Sequence, residues 1–65
     1  MTKNQPVKTV ELHGRTVDFY AAVQLMDDDI REELHSALAP CTDQEFMDAY
    51  AAEHEERFGE EFVVN

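Results

Sequence analysis

The sequence predicts an α+β fold, an N-terminal β-hairpin packed against two or three short helices, and three observations carry that prediction. Two short runs of β-forming residues flank His13-Gly14 near the start of the chain. Beyond them, apolar residues recur at helical spacing up to Phe58, and each run follows a residue suited to capping a helix. The third is composition: 65 residues with 43% hydrophobic content, including Phe19, Tyr20, Phe46, Tyr50, Phe58 and Phe62, are too apolar for an acidic disordered tail and can form one small core. A chain of this length buries roughly 60% of its unfolded surface, so its stability margin is thin. The expected organisation is a single domain over 1–65: a frayed start at 1–6, a hairpin over 7–19, helices over 19–58 and a tail at 60–65.

Val7 to Leu12 reads as the first strand and Arg15 to Phe19 as the return. His visits positive φ more readily than most side chains, so His13-Gly14 suits a two-residue primed turn. That register sets Val10 opposite Val17 and Leu12 opposite Arg15, with Val10, Leu12 and Val17 on the face that a helix must cover. Asp18 is an N-cap for a helix from Phe19 to about Met26, with Phe19, Val23 and Met26 on one side. Asp27 caps a second helix, Asp28 to about Leu38, with Ile30, Leu34, Ala37 and Leu38 as its apolar positions; one bent helix through Asp27 is the other arrangement the pattern allows. Asp28 and Asp29 suit the positive end of that helix, and Pro40 ends it at Ala39. Thr42-Asp43-Gln44-Glu45 is a capping box opening a third helix from about Asp43 to Phe58, whose stripe is Phe46, Met47, Tyr50, Ala51, His54 and Phe58. Gly59 occupies the C-cap position, and Phe62-Val63-Val64 is an apolar tail that either packs on the core or extends the sheet.

Charge is distributed unevenly. The first seventeen residues carry Lys3, Lys8 and Arg15 against Glu11, a formal +2; from Asp18 onward fourteen acids face Arg31 and Arg57, a formal −12, giving −10 in all. No lysine follows Lys8. Such a surface repels nucleic acid and anionic membrane and attracts basic protein surfaces. Neither a membrane-spanning apolar run nor a secretion leader is evident, and the single cysteine, Cys41, fits a reducing compartment, so the expected location is cytoplasmic.

Catalytic and metal chemistry find little support. His13, His35, His54 and Cys41 match no zinc spacing, and His54-Glu55-Glu56 lacks the second His of a metalloprotease motif. Asp27-Asp28-Asp29 lacks the alternating ligands and central Gly of a calcium loop. The simpler readings are a turn for His13, a helix surface or boundary for His35, the core rim for His54 and a small buried hydrophobe for Cys41. No enzyme activity, cofactor or metal is expected.

The acids remain. Asp29, Glu32 and Glu33 project from the second helix, and Glu45, Asp48, Glu55 and Glu56 from the third. Carboxylates three or four positions apart on a helix lie about 5–6 Å from each other at Cβ, a spacing of the same order as successive phosphates on one DNA strand. Rows of them can stand in for a phosphate backbone. The competing reading is a solvated helix surface, although such surfaces ordinarily mix both signs. Sequence alone leaves both readings open.

The spans Leu25-Met26-Asp27-Asp28-Asp29-Ile30-Arg31-Glu32-Glu33-Leu34-His35, Leu38-Ala39-Pro40-Cys41-Thr42, Phe46-Met47-Asp48-Ala49-Tyr50 and Phe58-Gly59-Glu60-Glu61-Phe62 resemble short acidic proteins encoded on bacterial mobile elements. In size and charge the chain is similar to small anti-CRISPR proteins, particularly those directed at type I systems. The resemblance covers residues 17 to 63. It implies a phage or mobile-element protein acting in a host bacterial cytoplasm. Several members of that class bind the Cascade surveillance complex, and acidic ones occupy the basic site that reads target DNA.

The expected function is therefore inhibition by DNA mimicry at a basic, PAM-reading surface, with the large subunit of a type I Cascade as partner. Asp27, Asp28, Asp29, Glu32, Glu33, Asp43, Glu45, Asp48, Glu55 and Glu56 are the expected partner-binding residues, each pairing with Lys or Arg. One alternative is an antitoxin-like or adaptor module that neutralises another basic protein. A second is a homodimer formed through Phe62, Val63, Val64 and the hairpin edge, its charge serving solubility.

Overall fold

The computed structural model describes residues 8–64. The frayed start expected at 1–6, Val7 as the first strand residue and the last tail residue, Asn65, lie outside the described residues. The architecture is α+β, with strands β1 (Thr9–Leu12) and β2 (Arg15–Asp18) followed by helices α1 (Phe19–Leu25), α2 (Asp28–Leu38) and α3 (Asp43–Phe58).

The strands form a two-stranded antiparallel hairpin that pairs Val10 with Val17 and Leu12 with Arg15, as the sequence predicts. Both turn residues have positive φ, 53° at His13 and 78° at Gly14, which fits the tight right-handed twist of a primed turn. Val10 and Leu12 are buried and Val17 is half-buried on the same face. Glu11, between them, directs its backbone away from β2, and the Gln44 amide of α3 takes up both groups. Glu11 N–H donates to Gln44 Oε1 at 2.8 Å, and Gln44 Nε2 donates to the Glu11 carbonyl at 2.9 Å. One side chain thus pairs with the open edge of β1 as a third strand would, and fixes the hairpin to α3.

Asp18 caps α1, accepting from the Tyr20 N–H at 3.0 Å. The helix is shorter than expected by one residue. Met26 and Asp27 are both extended, so α1 and α2 are separate helices and the bent-helix arrangement does not form. The break has a physical cause. Asp27 accepts from the Ile30 N–H at 3.1 Å, and its own N–H donates to the Tyr50 hydroxyl at 2.7 Å. A residue that caps the next helix cannot continue the previous one. Ala39 ends α2 in extended geometry, and the Ala39–Pro40 peptide is cis. Thr42 and Glu45 complete the capping box at the start of α3 in both directions, at 3.1 and 2.9 Å.

The core joins Val10 and Leu12 with Ala22, Met26, Ile30, Phe46, Met47 and Tyr50, closed by Phe62 and Val64. α3 is its axis, packed against β1 on one side and α2 on another. Gly59, at φ 74° and ψ 18°, turns the chain back after α3 in a left-handed conformation that a side chain would strain. Phe62 then packs edge-on against Tyr50, with ring centroids 4.7 Å apart, while the His54 ring lies between Tyr50, Phe58 and Phe62. The described part of the tail therefore packs on the core and pairs with neither strand.

Several expected core positions lie outside it. Tyr20 is 62% and Phe58 51% exposed, and Ala37 and Leu38 in the last turn of α2 are exposed as well. Ala37, Leu38 and Phe58 share the buried arc of their helices, but no described element extends far enough to cover them, whereas Tyr20 lies off the Phe19–Ala22–Val23 side of α1. Cys41, expected as a small buried hydrophobe, is exposed because the Ala39–Thr42 connection runs over the surface. Phe62 and Val64 are core residues and so are removed from the dimer surface considered from sequence, which retains only Val63 of the three.

Candidate functional site

The ten predicted carboxylates fall into two groups according to what surrounds them. Asp27, Asp28, Glu33, Asp43 and Glu45 have partners within the chain. Asp27 caps α2 and is tied through its N–H to Tyr50. Burial is the main cause that raises the pKa of the Tyr50 hydroxyl; the N–H bond from Asp27 lowers it and the Asp27 charge raises it again. Asp28 pairs with Arg31 one turn along at 3.1 Å, and Asp43 pairs loosely with Lys8 at 3.6 Å. Glu45 accepts from the Thr42 N–H in the capping box.

Glu33 belongs to the seam between α2 and α3. Arg57, near the end of α3, reaches Glu33 at 2.6 Å and Glu53 at 2.8 Å. Hydrogen bonds that it donates to both carboxylates, Glu53 first, hold the Arg57 guanidinium above its usual pKa. One cation therefore bridges α2 and α3 at the exposed edge of their seam.

The other five acids face solvent. Asp29 and Glu32 stand on the outer face of α2, and Asp48, Glu55 and Glu56 on that of α3. Asp48 accepts a single hydrogen bond, from Gln44 Nε2 at 2.9 Å. At 100° per residue, Glu45, Asp48, Glu55 and Glu56 share one stripe of α3, opposite Tyr50 and Met47; at about 1.5 Å of rise per residue the stripe is roughly 16 Å long. Asp29, Glu32 and Glu33 line a shallow depression with Ser36, Ala37 and Arg57, where α2 meets the end of α3. The result is two carboxylate rows on adjacent packed helices.

A family model described as anti-CRISPR protein AcrIC5 matches residues 10–62. The chain belongs to this family. No curated protein matches it. Membership makes the chain an anti-CRISPR inhibitor acting on type I-C systems, with a CRISPR–Cas component as its partner. The match spans every helix and almost the entire hairpin, so both carboxylate rows fall inside the AcrIC5 region.

Within that region, sequence reasoning overlooked three acids and one amide. Glu60 and Glu61 are exposed beyond Gly59 and extend the negative surface past α3. Glu53 was legible as the partner of Arg57 four residues later. Gln44, the residue that joins hairpin to helix, left no trace in the sequence, because its partner lies 33 positions away. Among the described residues, no group of three or more His, Cys, Asp or Glu is placed to hold a metal ion, and no helix is long and apolar enough to cross a membrane.

Proposed function

We propose that this AcrIC5-family protein inhibits a type I-C effector by occupying the basic surface with which the effector's large subunit reads the PAM and target duplex. The supporting observation is the pair of carboxylate rows on α2 and α3, in particular Asp29, Glu32, Glu55 and Glu56, whose carboxylates make no ion pair or hydrogen bond among the described residues. Charges of one sign on packed helices repel, and among the described residues no cation pairs with these four carboxylates to offset that cost. A groove lined with Lys and Arg offsets it. There the carboxylates replace phosphates, and displacement of counterions favours association as it does for DNA.

The mechanism is occupancy and needs no catalytic group. The rows are held at fixed spacing by the α2–α3 seam, by the Asp27–Tyr50 bond and by Gln44 on β1, so little order has to be created on binding. The negative field steers encounter with a basic surface, making association fast at low salt and slower as ionic strength rises. The test is target-duplex binding by the purified type I-C effector with and without the protein. The expected result is loss of duplex binding at stoichiometric amounts; duplex binding that survives an excess of a protein known to be bound rejects the mechanism.

A further inference from the structure

The rows do not account for a groove of ≈ 580 Å³ between α1, α2 and the start of α3. Phe19, Val23, Pro40 and Phe46 supply its apolar lining, and Glu32 stands on its border. The remaining charges there are already matched: Arg31 pairs with Asp28 and Asp43 with Lys8. The Glu32 carboxylate makes no ion pair or hydrogen bond among the described residues. The groove is thus an apolar cleft with one unmatched carboxylate, continuous through Glu32 with the acidic row of α2.

On the reading that the acidic rows occupy the effector's DNA-binding surface, we infer that this groove receives an arginine side chain of that surface. A purely aliphatic side chain would desolvate Glu32 without pairing it. Lysine carries a compact, strongly hydrated charge that gains little from an apolar lining. Arginine fits both features: its stem and the face of its guanidinium lie against Phe19 and Phe46, and its fork donates to the Glu32 carboxylate. Arginines are the commonest base-reading side chains on DNA-binding surfaces and are enriched among the residues that dominate interface affinity. The rows supply steering and the groove supplies an anchor.

Cys41 makes the inference testable. It is the sole cysteine, is exposed and lines the groove, so a thiol reagent alters this site alone and changes no charge on the rows. Binding to purified type I-C effector is measured for the protein carrying a benzylthio or a methylthio mixed disulfide at Cys41, and for Glu32→Gln with and without the benzylthio group. The expected result is a loss of affinity of about tenfold or more with the benzylthio group, recovery on reduction, and little change with methylthio. Glu32→Gln shows a comparable loss, to which the benzylthio group adds little. Unchanged affinity with the benzylthio group overturns the inference. A loss with benzylthio but none with Glu32→Gln identifies an apolar occupant and overturns the arginine. Glu55→Gln/Glu56→Gln separates this inference from the reading beneath it. If that variant loses affinity while the Cys41 adducts do not, the groove fails and the mimicry stands; if neither has an effect, both fail.

Discussion

Two regions of this small protein contain the same residue types and use them in opposite ways. At the helix starts and along the α2–α3 seam, one set of carboxylates has partners in the chain: Asp27 on the Ile30 N–H, Glu45 on the Thr42 N–H, Glu33 and Glu53 on Arg57. On the outer faces, Asp29, Glu32, Glu55 and Glu56 have none among the described residues. The first region lowers the free energy of the fold, while the second raises it by repulsion and, on the proposed function, lowers that of a complex with a basic surface. A count of fourteen acids after residue 17 does not distinguish them; only geometry separates the carboxylates engaged within the fold from those left facing solvent.

The sharpest way to break this comparison is to neutralise the outer set. Asp29→Asn/Glu32→Gln/Glu55→Gln/Glu56→Gln should leave the circular dichroism spectrum intact, leave the melting midpoint equal or higher, and weaken effector binding about a hundredfold or more, measured by interferometry at low salt. The reverse pattern is expected at a junction. Asp27→Ala removes the α2 cap and should cost about 0.5–2 kcal/mol in denaturant unfolding, while the folded fraction binds the effector almost as well as the parent. A loss of affinity as large as that of the outer set would erase the distinction.

Smaller effects sharpen the account of the joint itself. Tyr50→Phe removes the acceptor of the Asp27 N–H and should cost about 1 kcal/mol at neutral pH. Burial raises the Tyr50 pKa in the folded state above its ordinary 10.0, so the stability linked to its protonated form is complete below 10.0 and is lost as pH climbs through the higher folded value. Melting curves of the parent should therefore fall above pH 10.0 more steeply than those of Tyr50→Phe. The smallest effect belongs to Arg57→Gln. Its pairs with Glu33 and Glu53 are solvent-exposed, so the melting midpoint should barely move. Releasing two carboxylates should instead raise the association rate with the effector at low salt, an increase that disappears as salt is added.

Local chemistry made most of the fold legible. His13-Gly14 set the hairpin register, Asp18, Asp27 and Thr42 marked three helix starts, and Gly59 marked the last helix end. Each is a signal contained within a few residues. Periodicity was less informative about extent: it identified the arc shared by Ile30, Leu34, Ala37 and Leu38 but not where the covering element stops, so the last turn of α2 was assigned to a core it does not reach. Phe58 was misplaced for the same reason, and Tyr20 because composition counts an aromatic without saying which side of its helix it occupies. Cys41 was read from residue-type preference alone, which the exposed Ala39–Thr42 connection overrides. At the candidate site, the sign of the surface was evident from composition. Which acids were already engaged was not, because Glu33–Arg57, Lys8–Asp43 and Gln44–Glu11 join residues 24 or more positions apart.

The central claim is mutual exclusion between this protein and target DNA on one surface of the type I-C effector. Its most direct test is the affinity of the protein for that effector, measured with and without a saturating PAM-bearing duplex. The account predicts that the preloaded duplex abolishes binding of the protein, with the apparent affinity falling in proportion to duplex concentration. A stable ternary complex, in which protein and duplex bind together at undiminished affinity, would contradict it.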